Sequence, residues 1–134
     1  MAQYRAYKDL GNVPDPNGPN SFDCEVIVTR EQKQQILQNN KLVLIDIYGD
    51  WCHPCKVIAP VFEQMAAKYN NPGNVYLCKE DVDKELSPNC TGVPMFSFYV
   101  NGNNVKNILG GDMKDVESSL QALITGTTNQ MSMN

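Results

Sequence analysis

The segment Lys41–Tyr48, KLVLIDIY, constrains the fold more than any other stretch of the chain. Apolar side chains stand at nearly every position from Leu42, so a strand here has no face to give to water. Both faces need cover, and the simplest cover is a layer of helices on each side of a sheet. Asp46 is the exception inside the run. A carboxylate buried there has a raised pKa, because desolvation disfavours its charged form. The plainer reading leaves Asp46 on a solvated face.

Around this strand the pattern alternates. Glu25–Val28 reads as a short strand. Thr29 opens a helix to about Asn39, with Gln32 three residues on as a capping-box partner. A helix from about Pro54 to Tyr69 carries Val57, Ile58, Val61, Phe62, Met65 and Tyr69 at helical spacing. Pro60 interrupts it and predicts a kink. Asn74–Asp81 reads as a strand and about Lys84–Asn89 as a short helix. Met95–Val100 and Asn104–Leu109 read as strands joined by the tight turn Asn101-Gly102-Asn103. A last helix starts near Asp112, with Met113, Val116, Leu120 and Ile124 on one stripe.

Strands and helices in this order predict an α/β fold. Right-handed crossovers make a parallel core, and the closing hairpin adds antiparallel strands. The expected result is a central mixed five-stranded sheet flanked by four helices. With 134 residues the chain is one domain, large enough for a core without disulfide staples. Its expected organisation is an irregular N-terminal extension over 1–24, rich in Pro, Gly, Asn and Asp, a domain over 25–125, and a polar, flexible tail over 126–134.

The net charge of −4, with no basic stripe, argues against nucleic acid and against an anionic membrane surface. No apolar run is long enough to span a bilayer. The first residues, MAQYRAYKDLG, have no apolar core of a secretion signal, so the expected compartment is the reducing cytoplasm. In such a compartment the five cysteines, Cys24, Cys52, Cys55, Cys78 and Cys90, are not a structural disulfide framework.

The chemistry concentrates in GDWCHPCK. A C-x-x-C in this setting is read first as a redox pair and second as a metal half-site. Zinc wants four ligands, usually two close pairs, and Cys78 and Cys90 stand twelve positions apart. No metal and no organic cofactor is expected. A buried, inert pair is a further alternative. The motif lies between the apolar strand and the proline-containing helix, which places Cys52 at a helix N-terminus. Unpaired amides and the helix dipole there favour a thiolate, the attacking species. Cys52 is read as the exposed partner and Cys55 as the inner one. Pro54 suits the first helical turn. His53, the only histidine, would add positive charge beside Cys52 when protonated and make the couple more oxidising; the plainer reading is a solvated loop residue.

LVLIDIYGDWCHPCKVIAPVFEQMA and GVPMFSFYVNG together resemble the thioredoxin family, over about residues 25–125. The resemblance implies a thioredoxin fold and a thiol–disulfide oxidoreductase. It makes Cys52 the nucleophile, Cys55 the resolving cysteine, and the two a redox disulfide. Asp46 matches the aspartate that assists proton transfer at the resolving cysteine, and Lys79 the lysine beside it. Trp51 and Pro54 match the frame of the active-site loop. Pro94 matches a cis-proline facing the disulfide, preceded by Val93, and Gly92 and Gly110 match glycines near the substrate groove. A cis bond at Val93–Pro94 would expose backbone where a substrate strand can pair. From the residues alone, Pro94 is equally an ordinary proline opening a strand, and Lys79 a surface charge.

The implied partners are disulfide-containing proteins and a flavoprotein electron donor resembling a thioredoxin reductase, with the chain working as a monomer. One departure matters: the pair between the cysteines is His53-Pro54 rather than the Gly-Pro typical of the family's reductases. Two alternatives stay open, an oxidase or isomerase on the same fold and a redox-inert binding module. Self-association through Cys24, Cys78 or Cys90 is a third.

Overall fold

The computed structural model describes residues 24–133, with side chains through Gly126. The expected extension over 1–24 therefore lies, but for Cys24, outside the described residues. Five strands form one sheet in the order β1-β3-β2-β4-β5: β1 (Val26–Ile27), β2 (Leu42–Tyr48), β3 (Val75–Asp81), β4 (Met95–Val100) and β5 (Asn103–Leu109). β1, β3 and β2 are mutually parallel, and β4 and β5 extend the sheet antiparallel. Three α-helices flank it: α1 (Arg30–Asn39), α2 (His53–Tyr69) and α3 (Met113–Met133).

β2 lies between β3 and β4 and is buried at every position from Leu42 to Ile47. Strand alternation splits its side chains. Leu42 and Leu44 join Ile58, Phe62 and Met65 of α2 and Val116 and Leu120 of α3 in one core. Val43, Ile45 and Ile47 join Ile36 of α1 in the other. Asp46 follows Leu44 on the α2 side, at the end of the strand that runs into the cysteine loop.

Local signals act as read. Thr29 Oγ1 accepts from Gln32 N–H at 3.1 Å, and Gln32 Oε1 accepts from Val28 N–H at 2.9 Å, closing a cap one residue wider than the usual box. Asn101 and Gly102 both take positive φ, 51° and 82°, as a two-residue hairpin turn requires. The strand therefore starts at Asn103, not Asn104. Asp112 Oδ1 accepts from Asp115 N–H at 3.2 Å and caps α3.

The structure departs from the sequence pattern at three places. Val57, one of the apolar residues at helical spacing in α2, is 49% exposed; its neighbours Ile58, Phe62 and Met65 already fill the face toward the sheet. The helix expected over Lys84–Asn89 does not form, so among the described residues three helices flank the sheet rather than four. A single 3-10 turn, Val82–Lys84, stops at Glu85, whose φ of 56° is left-handed. Pro88 disfavours helical backbone at the residue before it, and the Lys33 ammonium takes the Leu86 carbonyl at 3.0 Å. Finally, α3 continues to Met133, across the positions assigned to a tail; once a helix is nucleated each added residue gains a hydrogen bond at small cost.

Candidate active site

The turn after β2 delivers the cysteines. Cys52 N–H bonds the Gly49 carbonyl at 3.0 Å, and Cys52 then serves as the N-cap of α2. Its sulfur accepts from Cys55 N–H at 3.2 Å, so one of the orphan amides of the helix start points at sulfur. Cys52 and Cys55 are joined as a disulfide across a Cα–Cα distance of 5.3 Å. Pro54 fits the first turn, where no amide donor is needed. His53 and Pro54 are exposed.

The two cysteines are equally enclosed, each with 4% of its area exposed. The contrast expected from the sequence, an exposed first sulfur and a hidden second, is absent in the disulfide form. What separates them is position: Cys52 precedes the helix, while Cys55 lies inside its first turn and is held by the helix backbone.

Trp51 stands beside them, 67% exposed. Its indole lies over Gly49, where a Cβ would come within 2.8 Å of Trp51 Cε2. The indole N–H donates to Asp83 Oδ2 at 3.3 Å. Asp83 is not singled out by sequence; it lies 32 positions away and only the tertiary fold brings it here.

Opposite the loop is the start of β4. The register Ile47↔Met95 puts Pro94 at the same end of the sheet as Trp51 and Cys52. The Val93–Pro94 bond is cis. Met95 also pairs with Leu109, which brings Gly110 to this end; its N–H donates to the Pro94 carbonyl at 2.8 Å, with φ of +104°. Gly92 is held close to Leu109, 3.3 Å from Cδ1 to a Cβ placed there, and its carbonyl accepts from the Cys90 thiol at 3.1 Å. The residues read as a groove, Trp51, His53, Pro54, Gly92, Val93, Pro94 and Gly110, thus gather at one pole.

Asp46 is 1% exposed, which removes the solvated reading. Neither carboxylate oxygen has a hydrogen-bond partner among the described residues. Burial pushes its pKa up to about 7; the Lys79 charge works against that shift and the Glu63 charge with it. Lys79 is its register partner on β3 and Phe96 its partner on β4. The Lys79 ammonium, however, is 3.7 Å from Glu63 Oε2 and 5.2 Å from the Tyr48 ring centre. A pocket of about 150 Å³ opens between Tyr48, Gly49, Lys79 and the α2 residues Cys55, Lys56 and Ala59. Glu63 was not found from sequence, although it shares a helix face with Cys55 and Ala59 at multiples of four residues.

Cys24, Cys78 and Cys90 take no part in the disulfide. Cys78 is fully buried on β3, and burial raises its thiol pKa well above the ordinary value. Among the described residues no group of three or more His, Cys, Asp or Glu side chains could hold a metal ion. Among the described residues no helix is long and apolar enough to cross a membrane.

The thioredoxin family model matches residues 24–124. Thioredoxin 1 of Plasmodium falciparum is 33% identical over 104 residues, 75% of this chain and 93% of that protein. Thioredoxin of Gallus gallus is 30% identical over 121 residues, 87% of this chain and 98% of that protein. Among solved structures, reduced Schistosoma mansoni thioredoxin pre-protein superposes with a TM-score of 0.67 at 30% identity, covering 75% of this chain and 98% of that one.

Proposed function

This chain belongs to the thioredoxin family, with the close cysteine pair of a thiol–disulfide oxidoreductase, and from that premise we propose that it reduces disulfide bonds in other proteins. The observation that carries the reading is the Cys52–Cys55 pair at the start of α2, next to the strand that holds the buried Asp46, whose pKa burial pushes up to about 7.

In the reduced form, amides at the helix start favour an anionic sulfur on Cys52. That thiolate attacks one sulfur of a substrate disulfide and expels the other as thiolate, leaving a mixed disulfide. Asp46 takes the proton of Cys55, whose sulfur attacks Cys52 and releases the second substrate thiol. Two electrons pass to the substrate, and Cys52 and Cys55 end as the disulfide. A base titrating at about 7 suits this transfer, because near neutral pH it holds and releases the proton with similar ease.

Trp51, His53, Pro54, Gly92, Val93, Pro94 and Gly110 form the substrate groove in this reading. Lys79 neighbours the base. The electron donor is a flavoprotein reductase of the thioredoxin-reductase kind, the compartment is the cytoplasm, and the site is complete in a monomer. No cofactor and no metal enters the steps, and the acidic surface favours neither nucleic acid nor membrane.

A second reading, a more oxidising couple that makes or rearranges disulfides, is favoured by exposed His53 beside Cys52. The reduction potential separates the two: a value near that of thioredoxin, about −270 mV, supports the reductase, and one above about −200 mV the alternative. The assignment itself is tested with insulin. Cys52→Ser abolishes reduction, and Cys55→Ser accumulates a mixed disulfide with substrate. Undiminished turnover by Cys52→Ser would refute it.

A further inference from the structure

β3 sets Lys79 directly across from Asp46. A lysine in that register would ordinarily close on a buried carboxylate, since an unpaired buried charge is expensive. The ammonium goes elsewhere, to Glu63 at 3.7 Å and over the Tyr48 ring. Both Asp46 oxygens are left without a hydrogen-bond partner among the described residues. The burial of the two acids explains the preference. The Glu63 side chain keeps 25% of its exposure, whereas Asp46 keeps 1% as a residue. An ammonium paired with Glu63 retains part of its hydration, which it would lose beside Asp46.

We propose that Glu63 is a positioning residue for the exchange reaction: it holds the Lys79 ammonium on its own carboxylate and so keeps Asp46 free to accept the Cys55 proton. The inference rests on the role given to Asp46 above. The remaining groups around this pocket are Tyr48 and Asp50 at the end of β2 and Cys55 and Lys56 on α2, while β4 offers Asp46 the apolar Phe96 as register partner. Only Lys79 carries an opposite charge large enough in its effect on Asp46 to rank beside burial, and the Glu63 charge acts in the same sense as burial. Loss of Glu63 therefore works twice in one direction. It removes a negative charge near Asp46 and releases a positive one toward it.

The test follows the Asp46 carboxyl by 13C NMR across pH in the disulfide form, where neither Cys52 nor Cys55 titrates. Glu63→Gln lowers the Asp46 midpoint by about one pH unit, the low end of what a nearby opposite charge produces. Glu63→Asp restores most of that shift. In the double variant Glu63→Gln/Lys79→Met the midpoint returns to the level of the unsubstituted protein or above, because no ammonium remains to close on Asp46. A merely loosened fold would leave the midpoint low in the double variant as well, and that result overturns the proposal. So does an unchanged midpoint in Glu63→Gln. The readout needs no substrate, so a protein that failed to reduce insulin would count against the proposed function and leave this test intact.

Discussion

Lys33 on α1 and Glu80 on β3 form an ion pair at 2.8 Å inside the protein, on the side of the sheet away from Asp46. The Glu80 side chain has no exposed area and the Lys33 side chain 11%. The contact with Glu80 Oε1 is a charge pairing rather than a directed hydrogen bond. Lys33 aims its N–H bonds at the Leu86 carbonyl and Ser87 Oγ, each at 3.0 Å, and Ser87 in turn donates to the other Glu80 oxygen. One lysine thus ties α1, β3 and the loop that leads to Pro94.

Removing Lys33 strands a fully buried carboxylate. Lys33→Met is expected to destabilise the protein by about 3–5 kcal/mol, measured by urea unfolding, since breaking a buried pair costs more than the pair contributes. Lys33→Met/Glu80→Leu should recover most of the loss, because no charge is then left without a partner. A double variant as weak as the single one would mean that the network holds the loop by its hydrogen bonds instead.

Asp46 couples stability to pH. Its folded pKa of about 7 stands above the ordinary value of 3.8, so between these values the folded protein binds more protons than the unfolded chain. Stability therefore falls as pH rises through that window. The full difference corresponds to about 4 kcal/mol at most, at 1.36 kcal/mol per pKa unit. Asp46→Ala should accordingly be more stable than the unsubstituted protein at pH 8, and the advantage should shrink toward pH 4. Thermal unfolding at several pH values checks this, and a gain independent of pH would contradict it.

The same residue should matter to rate. Asp46→Asn cannot accept the Cys55 proton, and resolution of the mixed disulfide is expected to slow by about 10²-fold near neutral pH. Attack by Cys52 should change far less. Stopped-flow measurement of the two steps separates them; equal slowing of both would argue against a base acting at Cys55.

Gly49 leaves room for the indole of Trp51. Gly49→Ala places a methyl group 2.8 Å from Cε2, so the ring must shift from its place and from Asp83. Trp51 is the only tryptophan, which makes fluorescence a direct report. The emission of Gly49→Ala should change and insulin reduction should weaken, with a destabilisation of about 0.5–3 kcal/mol, because Gly49 is buried and the added methyl overpacks its site.

His53 flanks Cys52 on the exposed start of α2. When protonated it favours the thiolate, hence the reduced state. His53→Gly should lower the reduction potential, on the order of 30 mV for each 1.4 kcal/mol of that preference. Equilibration with glutathione measures it, and a potential that stays level or rises removes the electrostatic role.

Local chemistry wrote much of this protein directly. The apolar run Leu42–Ile47 required a strand covered on both sides, Thr29 with Gln32 started a helix, Asn101-Gly102 made a hairpin turn, and Trp51-Cys52-His53-Pro54-Cys55 marked the reactive loop. Each of these depends on side chains within a few positions of one another, where spacing is geometry. Tertiary packing decided the rest. It dissolved the expected helix at Lys84–Asn89, because Lys33, some fifty positions earlier, claims the Leu86 carbonyl and Ser87. It enclosed Cys52 as fully as Cys55 and brought Asp83 to Trp51. It also turned Lys79 from Asp46 to Glu63. Such pairings arise from competition among charges for the same partner under unequal burial, and that competition exists only once the strands and helices have met.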